Sequence, residues 1–153
     1  MSTQKRFISQ DEALSILEAG SYGILSTALS GEPYGVPVNY FYSKQGDCVF
    51  FHCALTGRKL NNIKNNARVS FTVVGWEKAV PEKLTTCFES VILSGNAQIV
   101  TDEVEKTEKL LLFCKKFAPD FNNIDKVIAK MLPKTAVVKI MIERIKGKRN
   151  ENI

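Results

Sequence analysis

The spacing of hydrophobic residues changes at Gly20 and divides the chain into a short helical start and a longer, strand-rich part. Ser9 and Glu12 form a capping-box pattern, and Gly20 stands where the helix would end. From Tyr22 onward, apolar runs alternate with turn residues. The pattern predicts one amphipathic N-terminal helix whose apolar side consists of Ala13, Leu14, Ile16 and Leu17.

Six segments have the length and residue types of β-strands. They are residues 22–29, 34–42, 48–53, 68–75, 88–100 and 136–143. The first three are separated by tight turns, so we expect them to form an antiparallel meander. Gly95, inside the unusually long fifth segment, predicts a bulge or bend.

Helical spacing interrupts these strands at three places. Leu60 and Ile63 predict a short helix after the third strand, and residues 123–131 predict another before the last strand. Asp102 is expected to cap a helix that ends before Pro119. The apolar residues of that helix are Val104, Leu111, Cys114 and Phe117.

This order of elements predicts a mainly β protein with peripheral helices, folded as a small antiparallel barrel. The chain of 153 residues is 44% hydrophobic and 24% charged, which suits one ordered domain over residues 1–153. The segment MSTQKRFISQ lacks the apolar core of a signal peptide, and the apolar runs are only strand-sized. We therefore expect a cytoplasmic protein that does not enter a membrane.

Metal and nucleic-acid functions find little support in the composition. The four cysteines contain no CxxC pair and there is one histidine, so no zinc-type ligand spacing exists. The net charge is +5, but only residues 139–149 are dense in basic side chains, and no aromatic-basic motif accompanies them. Binding to nucleic acid is accordingly not favoured.

The most informative segment is FFHCALTGRKLNNI, residues 50–63, which reads as a strand, a tight loop and a helix. Thr56, Arg58 and Lys59 stand at the turn into the helix, where free N–H groups and the helix dipole favour an anion. The pattern is consistent with a phosphate site. It is equally typical of a solvated basic first turn capped by Thr56, and it is no Walker loop.

Three further positions could meet a ligand. His52 stands one loop before the basic turn and could act as a hydrogen-bond donor or general acid, or simply occupy a barrel rim. Pro37 removes a ladder donor beside Asn39 and Tyr40, which indicates either a ligand-binding break or a plain edge strand. Ser90 lies in an apolar strand, where polar residues usually mark the wet face of a sheet.

Taken together and in order, these segments resemble the FMN-binding split-barrel superfamily, which is also called pyridoxamine 5'-phosphate oxidase-like. The similarity spans roughly residues 20–148 and is greatest to the nitroimidazole-resistance proteins, the 5-nitroimidazole reductase branch. Its most specific part is the run H-x-A-x-x-G-R-K at residues 52–59. The resemblance implies a six-stranded antiparallel split β-barrel of Greek-key type.

The resemblance also implies a homodimer with two FMN molecules at the subunit interface. Arg58 and Lys59 would hold the phosphate, with Thr56 nearby. Residues 37–40 would lie along the flavin ring, with His52 beside it, and Ser90 matches a position that contacts the cofactor in relatives. The cofactor-binding residues implied are thus Pro37, Val38, Asn39, Tyr40, His52, Thr56, Arg58, Lys59 and Ser90, and the catalytic residue is His52.

Two hypotheses of function follow. The first is an FMN-dependent oxidoreductase that reduces a small electrophile, such as a nitroaromatic of the 5-nitroimidazole type. The second is a flavin-binding or sensing module without turnover. Residues 144–153 do not match the arginine-containing substrate motif of the vitamin-B6 oxidases, so oxidation of vitamin B6 is not expected.

Overall fold

A computed structural model describes residues 6–151 of the chain. The helices are α1 (Gln10–Ala19), α2 (Arg58–Asn65), α3 (Glu103–Phe117) and α4 (Ile124–Met131). The strands are β1 (Tyr22–Leu29), β2 (Glu32–Asn39), β3 (Phe41–Ser43), β4 (Cys48–Ala54), β5 (Arg68–Val80), β6 (Thr85–Ile99) and β7 (Thr135–Asn150). The first five residues of the segment that suggested the absence of a signal peptide lie outside the described range.

All seven strands belong to one antiparallel sheet in the order β2-β1-β5-β6-β7-β4-β3. This is the expected mainly β fold with peripheral helices, but with seven strands instead of six. The predicted strand over residues 34–42 is divided at Tyr40 into β2 and β3. The expected antiparallel pairing of neighbouring strands is confirmed, since β1 pairs with β2 and β3 pairs with β4. The break at Tyr40, however, puts these two pairs at opposite edges of the sheet.

Tyr40 is the point where the chain passes from one sheet edge to the other. Its backbone N–H donates to the carbonyl of Ser21, and its own carbonyl accepts from the Lys116 ammonium, so neither group continues a strand ladder. The Tyr40 side chain is fully buried, and its hydroxyl donates to the carbonyl of Leu17. The two edges thus meet at one residue without hydrogen-bonded closure, which leaves the barrel split.

The inner side of the rolled sheet forms the main core. Alternate residues of the strands point inward, as the strand period requires. The two short helices cover this core: α1 contributes Leu17, and α2 contributes Leu60 and Ile63. The large side chains that the strands and the Tyr40 corner bury completely in this core are Leu25, Tyr40, Phe51, Phe71, Leu93 and Ile140.

A second apolar cluster covers part of the outer side of the sheet. Leu110 of α3 and Ile128 of α4 pack on Val137 of β7. Leu110 is the one fully buried residue of α3, whereas Val104 is 67% exposed. The apolar stripe predicted for this helix was therefore wrong at Val104, because the contact with the sheet selects the side of α3 that carries Leu110.

Two features of the long strands have clear local causes. The register of β6 and β7 shifts at Gly95, which confirms the predicted bulge. A Cβ at Gly95 would collide with the carbonyl of Met141, so only glycine allows this approach. The final strand continues to Asn150 rather than ending at residue 143, because the basic segment pairs with the first half of β6.

Among residues 6–151, no helix has the length and hydrophobicity that a bilayer span requires.

The Lys116 ammonium fastens the end of α3 to the corner of the sheet. It donates to the carbonyls of Gly20 and Tyr40, the latter at 3.0 Å, and lies 4.5 Å from the centroid of the Tyr40 ring. The surroundings are dry enough that burial lowers the pKa of Lys116 below its ordinary value. Charge-assisted hydrogen bonds in such a place contribute more than neutral ones.

We expect Lys116→Met to lower the free energy of unfolding by about 1.5–3 kcal/mol, because both carbonyls lose a charged donor. Lys115→Met is the control, since Lys115 is exposed on the same turn and its loss should matter by less than about 0.5 kcal/mol. Urea denaturation of both variants measures the difference. Equal stabilities would show that Lys116 does not fasten the helix.

Candidate functional site

The turn into α2 presents unpaired donors and two cations. Gly57 is the N-cap and no side chain caps the helix, so the alternative of a turn capped by Thr56 is wrong. Gly57 has φ 150° and ψ 171°, a conformation that L side chains rarely adopt. The first N–H groups of α2 are therefore available to an anion.

Arg58 and Lys59 stand on this first turn in different surroundings. Arg58 is exposed, and its guanidinium carbon lies 4.3 Å from the centroid of the Tyr34 ring on β2. Lys59 is half-buried, and its ammonium lies close enough to Cys53 to lower the pKa of that thiol. Thr56 is exposed just before the N-cap. The turn is thus a positively charged site at the β2 edge of the sheet.

Burial outweighs the charge of Lys59 at Cys53, so that the pKa of the thiol is raised overall. Burial likewise raises the pKa values of Cys48 and Cys114. These three groups remain thiols at neutral pH and are poor nucleophiles. Within residues 6–151 we also find no group of three or more His, Cys, Asp or Glu side chains that could hold a metal ion.

A second feature is the outer side of β2, β1, β5, β6 and β7, which α3 and α4 do not cover. We call this surface the outer face. Its side chains follow the strand pairings, and directly paired residues point to the same side. The central row is Pro37, Ile24, Thr72, Ile92 and Lys146. A neighbouring row is Gly35, Ser26, Ser70, Ser94 and Arg144.

The outer face is unusually apolar for a surface in water. Large side chains are exposed on it or at its margin, namely Phe7 (45%), Tyr22 (59%), Ile24 (37%), Val74 (56%), Trp76 (37%) and Ile92 (55%). A contiguous apolar surface of this kind usually marks a binding site.

The outer face carries a pocket of about 410 Å³ over β5, β6 and β7. Its polar lining consists of serine hydroxyls and basic groups and includes no carboxylate. The residues are Phe7, Ser70, Ser90, Ile92, Leu93, Ser94, Arg144, Ile145, Lys146 and Lys148. Such a donor set suits a ligand with several acceptor atoms.

The structure divides the predicted site residues into groups. Thr56, Arg58 and Lys59 share the α2 turn, and Pro37 lies on the outer face at the β2 edge. Ser90 lines the pocket on the same face but three strands away, which at the usual strand spacing is about 14 Å from the β2 edge. Within one chain, these residues therefore do not line a single binding site.

The remaining predicted residues of the corner make contacts within the chain. Val38 points toward the core, and the Asn39 amide donates to the carbonyl of Ser21 at 3.1 Å. Tyr40 is fully buried, and burial raises the pKa of its hydroxyl strongly. In this conformation neither the Tyr40 ring nor its backbone hydrogen-bonding groups are free to meet a ligand.

His52 lies on β4, on the side that faces α3. Its ring centroid is 4.4 Å from that of Phe113, with the planes at 76°. The ring is half-buried, and burial lowers its pKa below the ordinary value. At neutral pH the imidazole is thus predominantly neutral and suited to a hydrogen bond rather than to donating a proton as imidazolium.

Sequence reasoning missed two contributors to these surfaces. The composition at Arg144, Lys146 and Lys148 predicts only a basic tail, although their spacing of two residues is the signal of one strand face. Phe113 was also missed, since nothing local relates α3 to β4, which lies some 60 residues earlier in the chain.

A model of the family described as pyridoxamine 5'-phosphate oxidase matches residues 9–149. No curated protein matches the chain. The solved structures that share its fold include three at 21–24% identity.

The first is a candidate 5-nitroimidazole antibiotic resistance protein from Bacteroides thetaiotaomicron (23% identity, TM-score 0.76, covering 93% of this chain and 85% of that one). The second is the flavocytochrome Anf3 from Azotobacter vinelandii (24% identity, TM-score 0.78, covering 94% of this chain and 68% of that one). The third is an FAD-binding protein from Mesorhizobium loti (21% identity, TM-score 0.70, covering 95% of this chain and 98% of that one).

The pKa of His52 predicts a pH effect on stability. Because the folded pKa lies below the unfolded value of about 6.5, the unfolded chain binds the proton more tightly. The contribution of neutral His52 is fully present above about pH 6.5 and is lost as the pH falls toward the lower folded pKa. His52→Gln should lack this component when urea denaturation is followed between pH 7.5 and the acid range. Identical pH profiles for the two proteins would contradict the prediction.

Proposed function

Because the chain belongs to the pyridoxamine 5'-phosphate oxidase family, we propose that it is a cytoplasmic FMN-dependent oxidoreductase that reduces a small electrophile, such as a nitroaromatic. The observation that carries the proposal is the uncapped, doubly cationic turn at α2, next to an exposed face with a donor-lined pocket. The likeness to the Bacteroides protein supports the class of electrophile. The likeness to the Mesorhizobium protein supports a flavin.

The residues of the α2 turn fit a phosphate dianion. Free N–H groups at the helix start, the Lys59 ammonium and the Arg58 guanidinium would each donate to phosphate oxygens. Stacking on Tyr34 limits the motion of Arg58, so less entropy is lost when it binds. Thr56 adds an exposed hydroxyl beside the turn.

The outer face fits the flat, largely apolar body of the same ligand. The edge at Pro37 and Asn39 would border one end of the ring system, and Ser90 would donate or accept a hydrogen bond. Basic groups on β7 would favour negative charge on bound ligand. Bound FMN would supply hydride and one-electron transfer, and the protein would position it and set its potential.

Pro37 and Ser90 are too far apart in one chain to line the same part of a ligand, which favours a site formed by two chains. A second copy on the outer face would cover its exposed apolar side chains and could complete each flavin site with residues of both chains. An obligate interface of this kind buries upward of about 2,000 Å². We therefore propose two chains and two flavins per molecule.

A flavin-binding or sensing module without turnover is the second candidate. It is favoured by the position of His52, whose ring packs on Phe113 and is neutral near pH 7. A neutral imidazole can still orient a substrate by a hydrogen bond, so this observation limits acid catalysis without excluding reduction.

The test of function is the visible spectrum of the purified protein. Flavin bands that bleach with NAD(P)H and return with a 5-nitroimidazole faster than for free FMN support the oxidoreductase. Flavin bands without faster reoxidation support the binding module. A protein that binds no FMN and no FAD would contradict both.

The phosphate site can be tested by titrating FMN into single variants. Lys59→Ala and Arg58→Ala should each weaken binding by about 1.5–3 kcal/mol, or roughly 10- to 150-fold, because each removes a charge-assisted hydrogen bond. Lys64→Ala is the control, since Lys64 is exposed in the last turn of the same helix. FAD serves as a parallel ligand. Unchanged FMN affinity in both variants and in the double variant would put the phosphate elsewhere.

The dimer can be tested with a matched pair of substitutions. Val74→Lys places a charge on the outer face, whereas Val104→Lys makes the same change on α3 at a similar exposure of 67% against 56%. We expect light scattering at micromolar concentration to show a dimer for the wild type and for Val104→Lys and a monomer for Val74→Lys. A wild-type monomer with bound FMN would exclude the interfacial site.

A further inference from the structure

His52 is enclosed on one side by a short row of aromatic rings from α3. The edge-on contact with Phe113 has a centroid distance of 4.4 Å. Phe113 in turn contacts the Phe117 ring in a tilted arrangement, with the centroids 4.5 Å apart and the planes at 30°. Phe117 is 37% exposed, so the row runs from a half-buried imidazole to the surface.

Polar contacts attach α3 to the rest of the protein both before and after Phe113. Toward the N-terminus, Glu105 forms an ion pair with Lys139 of β7 at 2.7 Å. Toward the C-terminus, Lys116 donates to the carbonyls of Gly20 and Tyr40. Between these attachments Phe113 has little freedom to move away from β4.

We propose that Phe113 is a positioning residue for His52, which holds the imidazole in one orientation and shields its α3 side from water. The inference rests on the proposed function only in that His52 is taken to serve a bound ligand. The contact between the two rings is independent of that function. Phe113 acts through His52 and need not touch the ligand.

The charged groups around His52 do not offer an equivalent restraint. On α3 the Lys109 ammonium lies 5.0 Å from the centroid of the Phe50 ring, and Glu105 pairs with Lys139 of β7. At the end of the helix, Lys116 bonds to backbone carbonyls. Burial alone accounts for the lowered pKa of His52, which agrees with shielding by an aromatic ring rather than with a nearby charge.

The test uses the fact that the chain contains one histidine. In untagged protein, the Cε1–H signal in a proton–carbon correlation spectrum reports His52 without ambiguity, and its titration gives the pKa. We compare the wild type with Phe113→Leu, with the conservative Phe113→Tyr, and with the control Phe117→Leu. Melting curves and flavin content accompany each variant.

We expect Phe113→Leu to raise the pKa of His52 toward about 6.5, because the ring becomes better solvated. Phe113→Tyr and Phe117→Leu should leave the pKa at the wild-type value. If the wild type reduces a nitro compound, the pH profile of turnover per bound flavin should shift upward only in Phe113→Leu. An unchanged pKa in folded Phe113→Leu would overturn the proposal.

A second measurement needs no variant. Ring protons of His52 and Phe113 should show mutual nuclear Overhauser effects in the folded wild type, and their absence would also overturn the proposal. Absence of nitro reduction, with the pKa shift and the Overhauser effects present, would reject the proposed reaction and leave the positioning role intact.

Discussion

Tyr40 is the residue at which the chain leaves one edge of the sheet and joins the other. Its hydroxyl bonds to the carbonyl of Leu17, its ring packs edge-on against Phe71 at 5.1 Å, and its carbonyl accepts from Lys116. A buried tyrosine hydroxyl needs a hydrogen-bond partner, so the bond to Leu17 fixes the position of the Tyr40 side chain. These contacts join α1, α3 and the inner core at the corner between β2 and β3.

The rolled sheet that results has two unlike sides. The inner side is filled by apolar residues and covered by α1 and α2. The outer side is covered by α3 and α4 over β4 and the start of β7, and is bare over β1, β5 and β6. The surfaces proposed for the ligand and the partner are thus the part of the outer side that α3 and α4 do not cover. The α2 turn lies at the β2 edge of the bare region and adds positive charge to it.

Local patterns predicted most of the elements, because caps, turn residues and periodicity act over a few positions. The capping box at Ser9 and the bulge at Gly95 are examples. The path of the chain at Tyr40 could not be predicted in the same way. Pro37 is the one residue of the segment 34–42 that interrupts its strand-like pattern, and it indicates an edge or a break without locating one at Tyr40. The position of the break depends on groups of Leu17 and Lys116 that are distant in the sequence.

The candidate site shows the same division. The turn at Arg58 was predictable because its residue types and helix start are adjacent, and the structure adds that Gly57 is the N-cap residue and that Thr56 does not cap the helix. The basic side of β7 and the contact of Phe113 with His52 depend on tertiary pairing. In the sequence, charged residues at alternate positions look like a solvated tail. Only the pairing with β6 shows that they share one face of the sheet.

We propose that one ligand spans the α2 turn and the outer face, and a crystal structure of the protein grown with FMN would test this. We expect the phosphate within hydrogen-bond distance of the α2 N–H groups and of Arg58 or Lys59. The ring system should lie on the outer face between Pro37 of one chain and a second copy. A phosphate bound instead at Arg144, Lys146 and Lys148, or a flavin on a single chain away from the α2 turn, would contradict it.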